Sequence, residues 1–184
     1  MNALLHVCCG PCASGALPRF REERPDCGVS LYFSNSNINT AEEFNLRLEQ
    51  ARRLAAADGA DIAVDPYDHD SWLRDAAAGH ECDPEKGMRC ARCFLFSMRR
   101  AAAYAASHGY AAFTTSLTIS PHKISSMVFE AGRTAAREHG VDFLEIDFKK
   151  KNGFLRSLER SAALGLYRQS WCGCEFSLSA GARA

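Results

Sequence analysis

Seven of the nine cysteines in this 184-residue chain fall into three tight groups: Cys8-Cys9 with Cys12 three residues on, Cys90-x-x-Cys93, and Cys172-Gly173-Cys174. Thiols gathered this closely from three distant segments usually meet around a metal or a redox couple. If a helix begins near Cys90, then Cys90 and Cys93 share one face of its first turn, where the helix dipole and free amides favour thiolates. Four thiolates suit either a structural zinc or an iron-sulfur cluster. Zinc ribbons use two separated knuckles, whereas here one group is a directly adjacent pair. Such a pair reaches two irons of one cubane more readily than one zinc, so a [4Fe-4S] cluster is favoured. A disulfide across Cys172-Gly173-Cys174 would close a small, strained and easily reduced ring, which suits a redox couple. Further metal ligation and inert thiols stay open for that pair. Cys27 and Cys82 stand alone and are expected to be structurally bland.

The elements that must position these groups alternate between strand and helix. Residues 3–7 read as a short apolar strand ending at the first cysteines, and 28–33 as a second, followed by the polar turn Ser34-Asn35-Ser36-Asn37. Thr40 and Glu43 form a capping box ahead of a helix with Phe44, Leu48, Ala51 and Ala55 on one face, closed by Gly59. Strands are expected over 61–67, 111–119 and 141–148, and helices over 71–78, 91–107, 125–139 and 157–164. This alternation predicts an α/β fold: one doubly wound, mostly parallel, Rossmann-like or HUP-like sheet with helices on both faces. Ligands of such sheets lie beyond the carboxyl ends of strands, which is where Cys8 and Cys9 fall. One catalytic domain over 1–184 is expected, with 79–89 and the tail after about 177 the flexible pieces.

Composition narrows the class. The chain is 47% hydrophobic and 24% charged, and Lys plus Arg balances Asp plus Glu at 22 each. A polyanionic partner would therefore need a local basic patch. The start lacks a signal-peptide pattern and no segment approaches a membrane span, so a cytoplasmic protein without a membrane partner is expected. Thiols there stay reduced, which favours metal ligation or catalysis over a disulfide framework.

The stretches LLHVCCGPCA (4–13), YFSNSNI (32–38), RCARCF (89–94), FTTSLTISPHK (113–123), DFKKKNGF (147–154) and GLYRQSWCGCEFS (165–177) resemble the cobalamin-independent epoxyqueuosine reductases of the QueH type. The similarity runs in register from about residue 3 to 177. It implies reductive deoxygenation of epoxyqueuosine at the tRNA wobble position to give queuosine. It also implies a [4Fe-4S] cluster held by Cys8, Cys9, Cys90 and Cys93, and a redox-active pair Cys172/Cys174. Loss of the epoxide oxygen as water takes two electrons and two protons, which a dithiol can release together. An open iron, or a second iron or other metal ion, would activate the leaving oxygen, and Cys12 is the spare ligand for it.

The implied partners are tRNA carrying epoxyqueuosine and an electron donor that the sequence does not identify. His122, in a loop beyond a strand, is a candidate proton donor or substrate contact, whereas His6 reads as core. Asn35, Asn37, Lys149, Lys150 and Arg168 are the candidate substrate contacts, with Lys149 to Lys151, Arg156 and Arg160 offering phosphate neutralisation. Phe94, Tyr167 and Trp171 could stack on a base or form pocket wall. Two alternatives are a zinc-stabilised tRNA-binding module and an ATP-dependent tRNA-thiolating enzyme. Against the second, Pro11 removes an amide from the place where a phosphate loop would lie.

Overall fold

The computed structural model describes residues 1–177. The tail expected to be flexible lies outside the described residues. In chain order the elements are β1 (Asn2–Val7), α1 (Gly10–Glu23), β2 (Gly28–Phe33), α2 (Ala41–Ala57), β3 (Ile62–Val64), α3 (His69–Trp72), α4 (Met88–Ser107), β4 (Ala112–Thr115), α5 (Ser125–His139), β5 (Asp142–Phe143) and α6 (Gly153–Ala163). A π-helical turn, Leu73–Ala77, continues α3, and a 3-10 turn, Ser116–Ile119, continues β4.

All five strands are parallel, in the order β3-β2-β1-β4-β5. Residues 3–7 of β1 are buried throughout, as a central strand covered on both faces must be. One face packs Leu5, Val7, Leu31 and Phe33 beneath α1 and α2 through Leu17, Phe20, Leu48 and Leu54. The other packs Leu4, Tyr32 and Phe113 beneath α4 and α5 through Met98, Ala102, Val128 and Ala135. The fold class expected from the sequence is the one observed. Among the described residues, no helix is long and apolar enough to cross a membrane.

Helix α1 is absent from the elements expected above, because Gly10, Pro11, Gly15 and Pro18 all lower helix propensity. Tertiary partners overcome this. Pro11 lies in the first turn, where its missing amide has no helical partner to lose. Pro18 cannot donate to the Ser14 carbonyl, which accepts from Arg160 Nη1 at 2.9 Å instead.

Several strands are shorter than expected. β3 stops before Asp65-Pro66, where the Asp65 carboxylate is held by Ser34 Oγ and Arg100. β4 gives way at Ser116 because Thr115 Oγ1 accepts from the Leu117 amide at 3.1 Å and starts a 3-10 turn. Beyond Phe143 one backbone bond to β4 remains, the Leu144 amide donating to the Phe113 carbonyl at 2.8 Å, and side chains then take over: Thr114 and Thr118 donate to the carbonyls of Leu144 and Ile146. Thr40 caps α2 through the Glu43 amide at 3.2 Å, but the Glu43 carboxylate turns to Arg47 at 2.6 Å, so the box is half-formed. Within 79–89, expected to be flexible, the loop before α4 wraps around Arg89, which donates to the carbonyls of His80, Glu81 and Asp83.

The start of α1 crosses α2 so closely that a Cβ on Gly10 would stand 2.6 Å from the Gln50 carbonyl oxygen. Gly10→Ala must push the two helices apart, and we expect a loss of about 1–3 kcal/mol of stability. Thermal unfolding followed by circular dichroism checks this; an unchanged melting temperature would show that the crossing is loose.

Candidate active site

The carboxyl ends of β1, β2 and β4 open into a cavity of about 370 Å³ lined by seven of the nine cysteines: Cys8, Cys9, Cys12, Cys90, Cys93, Cys172 and Cys174. Its volume is in the range of small-ligand sites. Cys27 is half-buried outside it, and Cys82 is exposed.

Cys8, Cys9 and Cys12 meet where β1 becomes α1, with their sulfurs all within 4.8 Å of one another, so this triad could hold a metal ion. Cys9 is the N-cap of α1, its sulfur accepting from the Cys12 amide at 3.2 Å. Ser116 ties Cys8 from the other side, its Oγ lying 3.1 Å from the Cys8 amide and 3.4 Å from its sulfur. Hydrogen bonds from the Cys12 and Cys9 thiols hold Cys8 well below the ordinary thiol pKa. Burial pushes Cys9 up to about 12, and donation to Cys8 holds Cys12 well above the usual value. Within the triad Cys8 is thus the thiol most readily ionised, and a metal would displace the protons of its neighbours.

Helix α4 begins at Met88, which sets Cys90 and Cys93 in its first two turns. The sulfur of Cys90 accepts from the Lys86 amide at 3.3 Å. Burial raises both thiols, that of Cys93 to about 12.

The third group arrives on residues 164–177, a segment strapped to α2. Arg53 donates to the Leu164 and Gly165 carbonyls, the Gln50 side chain accepts from the Tyr167 amide, and Arg47 donates to the Cys172 carbonyl at 2.9 Å. The Arg47 guanidinium also lies 5.1 Å from the Trp171 ring centre. Gly173 has φ +121° and faces Ile38, Arg47 and Asn37 within 3.3 Å of where a Cβ would stand, so both backbone and space demand glycine there. That turn sets the sulfurs of Cys172 and Cys174 3.5 Å apart. The Cys174 thiol, with Lys123 and Ser177 assisting, lowers Cys172 to about 5, while Cys174 is pushed far up.

Of the other residues expected at the site, His122 is exposed at the cavity wall, and Asn35, Asn37 and Arg168 also line it. Asn35 Nδ2 is engaged with the Val7 carbonyl at 2.9 Å, which pins the 34–37 turn to the end of β1. Asn37 reaches the Cys172 carbonyl at 3.5 Å. Arg168 lies over Phe154 and is held by Ser161 and Ser157. Lys149 and Lys150 are not among the lining residues. Lys149 Nζ donates to the Lys123 carbonyl at 2.9 Å, and Lys150 is exposed. Lys151, Arg156 and Arg160 pair with Glu23, Glu22 and Asp58, so much of the basic cluster is locally neutralised. Phe94 and Trp171 line the cavity, whereas Tyr167 does not. His6 is buried, with Nδ1 at 2.8 Å from Thr115 Oγ1 and Nε2 at 2.9 Å from the Ser34 carbonyl. Burial lowers its pKa, as suits a neutral core imidazole.

Lys123 was not singled out above, although it ends one of the stretches quoted there. Burial opposes its charge, but attraction to the sulfurs of Cys8, Cys172, Cys12 and Cys9 outweighs that cost and raises its pKa. One half-buried ammonium thus faces thiols from two of the three groups. In the sequence it looks like any other lysine; only the loop after β4 brings it inward. Trp72, outside every quoted stretch, and Gln169, within the 165–177 stretch, also line the cavity.

A Cys172 pKa of about 5 means that its thiolate is populated from about pH 5 upward. Site-resolved alkylation of the reduced apoprotein should rise through that range. Cys174→Ala should move the inflection upward further than Lys123→Met, because the thiol hydrogen bond is the larger influence. An inflection near pH 8.5, the free-thiol value, in the unaltered protein would refute the assignment.

The family model described as "Epoxyqueuosine reductase QueH" matches residues 3–180. Proteins bearing that name are 35% identical over 176 residues in Acinetobacter baylyi, covering 95% of this chain and 79% of the relative. They are 34% identical over 175 residues in Dehalococcoides mccartyi, covering 95% and 91%, and 30% over 180 residues in Thermotoga maritima, covering 96% and 90%. With a thiol-lined cavity at the sheet edge and similarity along nearly its whole length, the chain belongs to the epoxyqueuosine reductase QueH family, a family of oxidoreductases.

Proposed function

We propose that this protein is an epoxyqueuosine reductase, one catalytic domain that removes the epoxide oxygen of epoxyqueuosine at the tRNA wobble position to give queuosine. The convergence of three distant cysteine groups on one cavity carries this reading, and family membership supplies the chemistry. The soft donors Cys8, Cys9, Cys90 and Cys93 suit a [4Fe-4S] cluster, and Cys12 is the proposed ligand of a second iron or other metal ion. When bound, the cluster supplies single-electron transfer and the second metal supplies Lewis acidity.

Removal of the oxygen breaks two C–O bonds, forms the alkene and releases water, consuming two electrons and two protons. Cys172 and Cys174 match that demand: as their S–S bond forms, the pair gives up two electrons. Of the protons, one rests on Cys174 and the other on Lys123, which faces the Cys172 thiolate. His122, next to Lys123 at the cavity wall, is the proposed alternative proton donor or substrate contact. A reductant of unassigned identity then restores the dithiol. Asn35, Asn37 and Arg168 are proposed to contact the modified base, and Lys149 and Lys150 the tRNA backbone.

Anaerobically reconstituted protein should contain roughly four iron and four sulfide per chain. Given a reductant, it should convert epoxyqueuosine-bearing tRNA to a product one oxygen lighter, and Cys172→Ala and Cys174→Ala should each abolish turnover. Full zinc occupancy without sulfide, or turnover surviving both substitutions, would refute the mechanism. Separately, Lys150→Glu should weaken tRNA binding and reduce the magnitude of its salt slope by about one, measured as affinity against salt concentration. An unchanged slope removes Lys150 from the interface.

A further inference from the structure

Trp72 is 1% exposed, yet its indole Nε1–H is buried without a hydrogen-bond partner. Leaving such a donor unpaired costs roughly 1–3 kcal/mol, so a native protein that keeps one has a use for it. The indole is fixed from both sides. It stacks on His69 at 5.4 Å and 16°, and its other neighbour is Phe176 at 6.3 Å and 37°. His69 is itself anchored, with Nδ1 2.8 Å from the Ser36 carbonyl and Nε2 3.2 Å from Glu175 Oε1. The ring also sits where α3 passes into the π-helical turn Leu73–Ala77, a rare geometry that often accompanies functional sites.

Around this ring is a small apolar cluster, separate from the two main cores, made of Trp72, Ala76, Ala77 and Cys174 with Cys93, Phe96 and Phe176 packed against it. Trp72 and Cys93 both line the cavity. Cys93 packs against the cluster that holds the indole, and the indole N–H acts on its sulfur without meeting the geometry of a hydrogen bond. A neutral thiol is a weak acceptor, whereas a thiolate accepts a charge-assisted bond. The unpaired donor therefore sits in a cluster with a sulfur that becomes a strong acceptor once it ligates a metal.

We propose that Trp72 is a positioning residue whose Nε1–H donates to the Cys93 sulfur when that sulfur ligates iron, raising the reduction potential of the bound cluster. The inference rests on the cluster reading above. Hydrogen bonds to ligand sulfurs withdraw charge from the centre and favour its reduced, more negative state. The rigid stack of His69, Trp72 and Phe176 keeps the donor aimed without reorganisation, and it joins the Cys93 ligand to the segment bearing Cys174.

The test compares reconstituted wild-type protein, Trp72→Phe and Phe176→Leu by EPR-monitored redox titration. Trp72→Phe keeps an aromatic ring but removes the N–H, and its midpoint potential should fall. Phe176→Leu disturbs the same packing but leaves the donor, and its potential should stay within error of wild type. Proton ENDOR of the reduced cluster should show an exchangeable coupling that is lost in D2O and absent from Trp72→Phe. A wild-type cluster whose potential and coupling ignore Trp72→Phe overturns this inference alone, as does an equal shift in Phe176→Leu. Failure of the wild-type chain to take up iron and sulfide overturns the cluster reading and this inference with it.

Discussion

Parallel pairing of β1 with β2 on one side and β4 on the other brings three strand ends to one edge, with Val7 opposite Phe33 and His6 opposite Thr115. Everything chemical in this protein is organised around that edge. The chain leaves β1 straight into Cys8 and Cys9, leaves β2 into the 34–37 turn, and leaves β4 into the loop that carries His122 and Lys123. The edge is also where the connections diverge, since α1 lies on one face and α4 on the other, which opens a crevice between them.

Close contacts then convert an open crevice into a defined site. Gly10 lets α1 press against the backbone of α2, which seats Cys9 and Cys12 at the start of the helix. Arg47, Gln50 and Arg53, all on α2, hold residues 164–177 across the opening and deliver Cys172 and Cys174. One helix thus supports two of the three thiol groups. Arg89 does similar work for the third, gathering the 79–87 loop ahead of Cys90.

The electrostatics follow from burying many thiols beside one cation. A thiolate in low dielectric is costly, so burial raises most of these thiols, and the exceptions are the two that collect hydrogen bonds, Cys8 and Cys172. Lys123 is near both, and its charge survives burial because of them. The site therefore holds protons and reducing equivalents side by side, as the removal of an oxygen atom as water requires.

The sequence by itself determined the fold class, most of the helices, the three cysteine groups and the family resemblance, because periodicity, spacing and short motifs are local properties. It misjudged elements whose stability comes from elsewhere. Helix α1 exists despite two prolines because Arg160 and the sheet satisfy it, and the 141–148 stretch is mostly not a strand because threonine hydroxyls take the place of a ladder. Only the tertiary structure decided that Lys123 turns inward, that much of the basic cluster is neutralised, and that Trp72 packs beside Cys93. Each of these depends on distances between residues far apart in the chain, which no pattern of neighbouring residue types encodes.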